Sequence, residues 1–177
     1  MTVTKKRRRA KQADSADRHD LYQRSVQCVE AEIDFVDDTY KAIRKRRAKL
    51  LREDFCGTAN TSCEWVRRRR TNRAIGVDLD EEVLEWGRTN NVEPLGKSAG
   101  RVELRQTNVL TVKTEPLDVV LAMNFSYWIF KQRSQLKRYF QGVRRSLAVD
   151  GVFFLDAYGG HESFKVVRER TQFDDFT

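Results

Sequence analysis

From residue 50 to residue 155 the sequence alternates between short apolar runs and longer amphipathic segments, and this alternation limits the possible folds most strongly. Strand-like runs cover 50–55, 73–79, 101–107, 118–123 and 152–155, and helix-like segments cover 60–70, 81–89 and 131–147. Strands that alternate with helices are typical of an α/β domain with right-handed crossovers. We therefore predict a mainly parallel five-stranded sheet with helices on its faces.

The part of the chain before the first strand has two different compositions. Residues 1–16 contain almost no apolar side chains, and six of the seven residues at 5–11 are basic, so we expect a disordered tail. Over 17–47, apolar residues recur at alternating steps of four and three from Tyr22 to Ile43, which predicts one helix packed on the domain. A coiled-coil dimer shares this period and stays open. The α/β domain then covers 48–177.

Composition excludes several classes of protein. A chain of 177 residues that is 40% hydrophobic can bury a core of its own. No apolar run reaches the roughly 20 residues of a membrane span, and no apolar segment of a secretory signal follows the basic N-terminus. The three cysteines, Cys28, Cys56 and Cys63, are odd in number and irregularly spaced, which favours a reducing, cytoplasmic compartment. We predict no metal site.

The formal net charge of +8 raises the question of a nucleic-acid partner. Basic clusters at 5–11, 44–49 and 67–70 could clamp phosphates. They are not interleaved with aromatic residues, and no recognised nucleic-acid-binding motif accompanies them. A solvated arginine-rich surface is the favoured interpretation, while a nucleic-acid substrate or a basic nucleic-acid-binding module is kept as an alternative.

Polar residues follow the predicted strands, where parallel sheets bind their ligands. The small-residue turn at Gly57 would let a ligand approach the backbone and a helix N-terminus, although it is neither a dinucleotide fingerprint nor a Walker loop. Asp78 could accept hydrogen bonds from both hydroxyls of a ribose, or cap the next helix. Asn108 could read an adenine edge, or occupy a turn. Together these positions predict an adenosine-binding crevice.

Four segments, in this order and spacing, resemble the motifs of class I S-adenosylmethionine-dependent methyltransferases. They are Leu50-Leu51-Arg52-Glu53-Asp54-Phe55-Cys56-Gly57-Thr58-Ala59, Ala74-Ile75-Gly76-Val77-Asp78-Leu79-Asp80, Leu117-Asp118-Val119-Val120-Leu121-Ala122 and Leu147-Ala148-Val149-Asp150-Gly151-Val152-Phe153-Phe154-Leu155. The resemblance spans about 48–160. It implies a Rossmann-like, doubly wound fold with an added N-terminal helix, S-adenosylmethionine as the cofactor, and methyl transfer as the reaction.

The resemblance also implies roles for individual residues. Glu53 would support the methionine amino group, and Gly57 would lie against the methionyl portion. Asp78 would bind the ribose, Leu79 would pack on the adenine face, and Asn108 stands where the family usually has an aspartate that bonds the adenine amino group. The other members of the implied cofactor-binding set are Cys56, Thr58, Val109 and Asn124, the last beside the transferred methyl group.

Two departures from the family pattern lead to further expectations. Phe55 and Ala59 replace the outer glycines of the family's turn, so we expect a differently shaped loop. The family's seven-stranded sheet ends in two further strands, but only 172–177 follow the fifth-strand region here. We therefore expect a chain that is truncated at its C-terminus, with strand five as an exposed edge. A truncated, inactive methyltransferase-like protein is a further alternative.

The methyl acceptor is less constrained than the cofactor, because an in-line displacement needs mainly positioning. The segment Asn124-Phe125-Ser126-Tyr127 resembles the Asn-Pro-Pro-Tyr loop of enzymes that methylate base nitrogens, but both prolines are missing. Tyr22 could cover the site and Tyr127 could line it, although core packing also explains both. His161 could act as a base or lie in an exposed loop. We expect a small-molecule acceptor, and the sequence assigns neither a catalytic residue nor an oligomeric state.

Overall fold

The computed structural model describes residues 16–168 and Arg170, so the basic segment 5–11 and the segment 172–177 lie outside the described residues. The helices are α1 (Arg18–Val26), α2 (Val29–Arg44), α3 (Asn60–Arg68), α4 (Glu81–Gly87) and α5 (Arg133–Ser146). The strands are β1 (Leu50–Asp54), β2 (Arg73–Asp78), β3 (Val102–Gln106), β4 (Leu117–Ala122) and β5 (Leu147–Leu155). Short helical turns at Arg88–Val92, Glu93–Arg101, Ser126–Ile129 and His161–Phe164 join or follow them.

The five strands form one parallel sheet in the order β3-β2-β1-β4-β5. The chain runs outwards from β1 to β3, crosses back to β4 and continues outwards to β5. The order of the strands therefore reverses between β1 and β4, where doubly wound sheets open a crevice at their carboxyl ends. The predicted fold class is confirmed, and within the described residues β5 pairs with β4 alone.

The two faces of the sheet carry separate cores. Ile33 of α2 and Trp65 of α3, both fully buried, pack on one face. Tyr139 and Val143 of α5 pack on the other face. Burying apolar side chains on both faces stabilises the central strands, which explains the continuous apolar run of β4.

The N-terminal segment contains two helices rather than the one helix predicted over 17–47. The backbone is extended at Gln27, which ends α1, and α2 begins at Val29. Only α2 buries its apolar stripe: α1 has no buried residue, and Tyr22 is 45% exposed. The break lets α1 turn away from α2 and lie over the carboxyl ends of the strands. No helix in residues 16–168 combines the length and the apolar character that crossing a membrane requires.

Candidate functional site

Two neighbouring cavities open at the carboxyl ends of the strands, and Phe55 lies between them. The first, of about 170 Å³, is lined by His19, Tyr22, Gln27, Glu53, Asp54, Phe55, Cys56, Gly57, Thr58, Val83, Met123, Asn124 and Ser126. The second, of about 220 Å³, is lined by Phe55, Asp78, Leu79, Thr107, Asn108, Val109, Ile129 and Phe130. The crevice therefore combines all nine residues of the predicted cofactor-binding set with Tyr22 at one end.

The turn between β1 and α3 has a left-handed backbone at Gly57 and at the two positions, 55 and 59, where the family usually has glycine. Phe55, Gly57 and Ala59 have φ angles of 59°, 51° and 56°. The replacement of two glycines therefore does not prevent the turn from taking the conformation that glycine favours. A left-handed backbone costs roughly 1–2 kcal/mol at a residue with a side chain. At Phe55, ring contacts with Phe130 and Tyr139 at 6.0 and 5.8 Å offset part of that cost.

Glu53 is a buried acid at the end of β1, only 7% exposed, on the wall of the first cavity. Its Oε2 accepts hydrogen bonds from the backbone N–H and the hydroxyl of Ser62, at 2.9 and 2.6 Å. Burial raises the pKa of Glu53 to about 7, although the bonds from Ser62 act in the opposite direction. Repulsion from Glu32 on α2 contributes to the rise. The carboxyl group can therefore gain or lose a proton near neutral pH.

Thr58 and Cys56 also line the first cavity, and both side chains are uncharged. Thr58 is 5% exposed, and its buried Oγ1 has no hydrogen-bond partner within the described part of the chain. Burial raises the pKa of the Cys56 thiol, so this thiol stays neutral and acts as an apolar wall. An unpartnered buried hydroxyl is uncommon in proteins.

Asp78 ends β2 and is oriented by the backbone around it. Its Oδ2 accepts a hydrogen bond from the N–H of Gly57 at 2.8 Å, and its Oδ1 accepts from the N–H groups of Leu79 and Asp80 at 2.7 and 3.1 Å. Asp80, rather than Asp78, caps α4. The alternative of a capping role therefore belongs to Asp80, while the Asp78 carboxylate joins the turn at Gly57 to the wall of the second cavity.

The remaining wall of the second cavity is apolar apart from Thr107 and Asn108. Leu79, which is 61% exposed, and Val109, which is 7% exposed, both line this cavity. Asn108 Oδ1 accepts a hydrogen bond from the Leu110 N–H at 2.8 Å, so the asparagine does form a turn. No hydrogen bond from its Nδ2 is present among the described residues, which leaves that group able to donate into the cavity.

The loop after β4 is held to the end of β5 by Asp156. The N–H groups of Asn124 and Phe125 donate to the Asp156 carboxylate, both at 2.9 Å, and the Tyr127 hydroxyl donates to its backbone oxygen at 2.9 Å. Asn124 lines the first cavity, whereas Tyr127 is 8% exposed and lies outside both cavity walls. His161 is exposed in a short helical turn and also lies outside both walls.

Sequence reasoning missed a buried ion pair beneath the first cavity. Arg52 and Asp54 lie two residues apart on one face of β1, are 0% and 2% exposed, and approach to 2.8 Å. The Tyr139 hydroxyl donates to Asp54 at 2.8 Å, and Arg52 donates to the Ser146 hydroxyl at 2.9 Å. Burial raises the pKa of Asp54 despite the neighbouring guanidinium. The signal was present in the sequence, because three consecutive charged residues, Arg52, Glu53 and Asp54, follow two leucines within a predicted strand.

Among the described residues, no group of three or more His, Cys, Asp or Glu side chains has an arrangement that could hold a metal ion.

The first cavity is also lined by His19 of α1 and by Met123 in the loop after β4, two residues that the sequence did not single out. The sequence did not identify His19 as a lining residue, because its position depends on the break after α1, which brings this helix over the crevice.

A parallel sheet in this order, with an acid after β2 and a left-handed turn after β1, defines a nucleotide-binding α/β domain of the Rossmann-like class. The sequence model of a family described as "Methyltransferase domain" matches residues 54–155, more than half of the 177-residue chain. The chain belongs to this methyltransferase domain family, which confirms the resemblance found in its motifs. No curated protein matches the sequence.

Solved methyltransferase structures share the fold. The sugar N-methyltransferase KedS8 of Streptoalloteichus sp ATCC 53650 has a TM-score of 0.67 and 20% identity, covering 95% of this chain and 64% of its own. The amino pentose methyltransferase CalS10 of Micromonospora echinaspora, solved with S-adenosylmethionine bound, has a TM-score of 0.66 and 19% identity, covering 81% and 57%. DesVI of Streptomyces venezuelae has a TM-score of 0.67 and 19% identity, covering 89% and 62%. This chain therefore spans less than two thirds of the length of each.

Proposed function

We propose that this chain binds S-adenosylmethionine along its crevice and transfers the methyl group to a small-molecule acceptor. The observation that carries the proposal is the pair of neighbouring cavities, which share Phe55 and place Glu53 in one and Asp78 in the other. An elongated ligand with a cationic amino acid end and a nucleoside end would meet a suitable group in each cavity.

The residues present fit this cofactor. In the first cavity, Glu53 would hold the ammonium group. In the second cavity, Asp78 would accept from a ribose hydroxyl, since its three backbone donors leave about one of the roughly four acceptor positions of a carboxylate. Leu79 and Val109 would cover the two faces of the adenine ring.

The chain's own contribution to the reaction is positioning and the exclusion of water. When bound, the cofactor supplies an electrophilic methyl group on a sulfonium. Asp156 fixes the backbone of Asn124 and Phe125, so the wall of the first cavity beside the reacting group is rigid before the acceptor arrives. Holding the two reactants in the reactive geometry lowers the activation barrier, because their translational and rotational entropy is lost on binding and not in the reaction step.

A small acceptor is supported by the shape of the opening and by similar proteins. Tyr22 of α1, 45% exposed, lines the first cavity together with Asn124 and Ser126, and the acceptor would enter beside it. KedS8 and CalS10, which share this fold, are described as acting on a sugar and an amino pentose. We also propose a cytoplasmic location, since Cys28, Cys56 and Cys63 are all free thiols.

Isothermal titration of the chain with S-adenosylmethionine and with its demethylated product tests the cofactor assignment. We expect binding to both ligands and none to NAD. Asp78→Ala should weaken binding by at least tenfold, because it removes the only carboxylate in the wall of the second cavity as the structure describes it. Asp80→Ala is the matched control: it removes the neighbouring carboxylate that caps α4, and it should leave the affinity unchanged. Absence of binding by the wild-type chain, or equal losses in the two variants, would contradict the proposal.

A further inference from the structure

Helix α5 exposes a row of cations that have no acidic partner. The helix contains no Asp or Glu, and its five basic side chains are exposed: Arg133, Lys137, Arg138, Arg144 and Arg145. In the part of the chain that the structure describes, none of the five forms an ion pair or donates a side-chain hydrogen bond. We call Arg133, Lys137 and Arg144, together with Phe140 on the same side of the helix, the α5 basic face.

Several arginines of the basic clusters at 44–49 and 67–70 do form ion pairs. Arg46 contacts both Asp118 and Asp150 at 2.7 Å, and Asp37 binds two further arginines of these clusters. The other partners are Glu64 for Arg67, and Asp34 and Glu64 for Arg68. Helix α5 differs from these clusters because its five cations lie together on one helix without an acidic partner among the described residues, on the face of the sheet opposite α3.

Helix stability does not account for this pattern. Cations in the last turn suit the helix dipole, which explains Arg144 and Arg145. Arg133 lies at the other end of the helix, where the dipole disfavours a cation. Arg133 and Lys137 are also four residues apart, a spacing at which like charges repel. A surface that costs folding free energy in this way is better explained by a ligand that binds it.

The geometry of the face indicates the chemistry of that ligand. Arg133, Lys137, Phe140 and Arg144 follow one another at steps of four, three and four, so they lie on one side of the helix and line a surface groove. Phe140 is 37% exposed. Cations that alternate with an aromatic ring suit a backbone of phosphates whose bases can stack.

An anionic membrane surface is disfavoured. A helix that lies in a membrane interface needs a free apolar face. The apolar face of α5 is already occupied, because Tyr139 and Val143 are 0% and 2% exposed against the sheet. We propose that the α5 basic face binds single-stranded nucleic acid, with the cations on phosphates and Phe140 stacked on a base. This surface stands independently of the proposed methyl transfer.

Fluorescence anisotropy of a labelled 20-nucleotide single strand, titrated with the full chain across a salt series, tests the proposal. We expect binding that weakens steeply with salt. The triple variant Arg133→Gln, Lys137→Gln, Arg144→Gln should lose about 10- to 100-fold in affinity at low salt and reduce the slope of log K against log salt by about 2, at about 0.7 per phosphate contact. Phe140→Leu should lose about tenfold, because stacking contributes about 1–3 kcal/mol per base.

The control removes the same charge elsewhere, through Arg70→Gln, Lys97→Gln and Lys113→Gln, three exposed cations outside α5. It should change affinity less than threefold, and thermal melting of every variant should show that the fold is retained. The proposal is overturned if the α5 triple variant binds like the wild type, or if the control triple loses as much affinity. It is also overturned if phosphatidylserine vesicles, and not the oligonucleotide, bind in an α5-dependent way.

Discussion

The two cavities of the crevice hold their carboxylates in different ways. Glu53 and Asp54 beside the first cavity are 7% and 2% exposed, and burial raises the pKa of both. Asp78 beside the second cavity is partly exposed and accepts three backbone N–H groups. The first cavity therefore depends on buried charge, which costs folding free energy, and the second depends on backbone that is oriented by the turn itself. Substitutions around the first cavity should consequently change stability more than equivalent ones around the second.

Arg52→Met should have the largest effect. It leaves the Asp54 carboxylate buried without its guanidinium partner, which typically costs about 3–5 kcal/mol of unfolding free energy. Urea denaturation measures the loss. Arg105→Met is the control, since it breaks the pair with Glu103 on β3, whose side chain is 54% exposed, and should cost less than about 1 kcal/mol. Similar losses in the two variants would mean that the buried pair is not what distinguishes the first cavity.

Glu53→Gln should change how stability depends on pH. The folded-state pKa of about 7 lies above the ordinary value of 4.5, so the neutral carboxyl favours folding at low pH, and this contribution disappears as pH rises through about 7. Relative to Glu53→Gln, the wild type should lose about 3 kcal/mol between pH 4 and pH 8. Urea titrations across that range test this. Glu82→Gln, at a side chain that is 80% exposed, should give a curve parallel to the wild type. A Glu53→Gln curve that is also parallel would contradict the raised pKa.

Asp156→Ala should destabilise the loop after β4 by about 2 kcal/mol, because two N–H groups lose a charged acceptor. Asn108→Ala, which removes one neutral acceptor beside the second cavity, should cost about 1 kcal/mol. Thermal unfolding of the two variants measures the difference. If Asn108→Ala lowers the free energy of unfolding more than Asp156→Ala does, the hydrogen bonds to Asp156 are not an important support of the first cavity.

The residues that line the crevice were easier to predict from the sequence than the residues that hold the surrounding loops and helix α1 in place. The location of Asp78 and Asn108 in the wall of a cavity was predictable, because the end of a parallel strand is where a ligand meets the sheet. Asp156 occupies the same kind of position, but its bonds to Asn124 depend on how two loops meet in space. The break at Gln27 could not be predicted because neither glycine nor proline marks it, and because α1 buries no apolar stripe that would align it with α2.

The smallest expected changes in stability have opposite signs at two positions of the same turn, Gly57 and Ala59. Ala59→Gly replaces a left-handed alanine, and the strain relieved should roughly balance the lost methyl group, for a gain of at most about 0.5 kcal/mol. Gly57→Ala adds the same strain without a matching gain and should cost about 1 kcal/mol. The added methyl group would lie 3.7 Å from Val83 Cγ1, inside the first cavity, so Gly57→Ala should also weaken binding of the demethylated cofactor while Ala59→Gly leaves it unchanged. Differential scanning calorimetry and titration measure the two effects separately, and a stable Gly57→Ala variant with unaltered affinity would show that the first cavity does not hold the ligand at this turn.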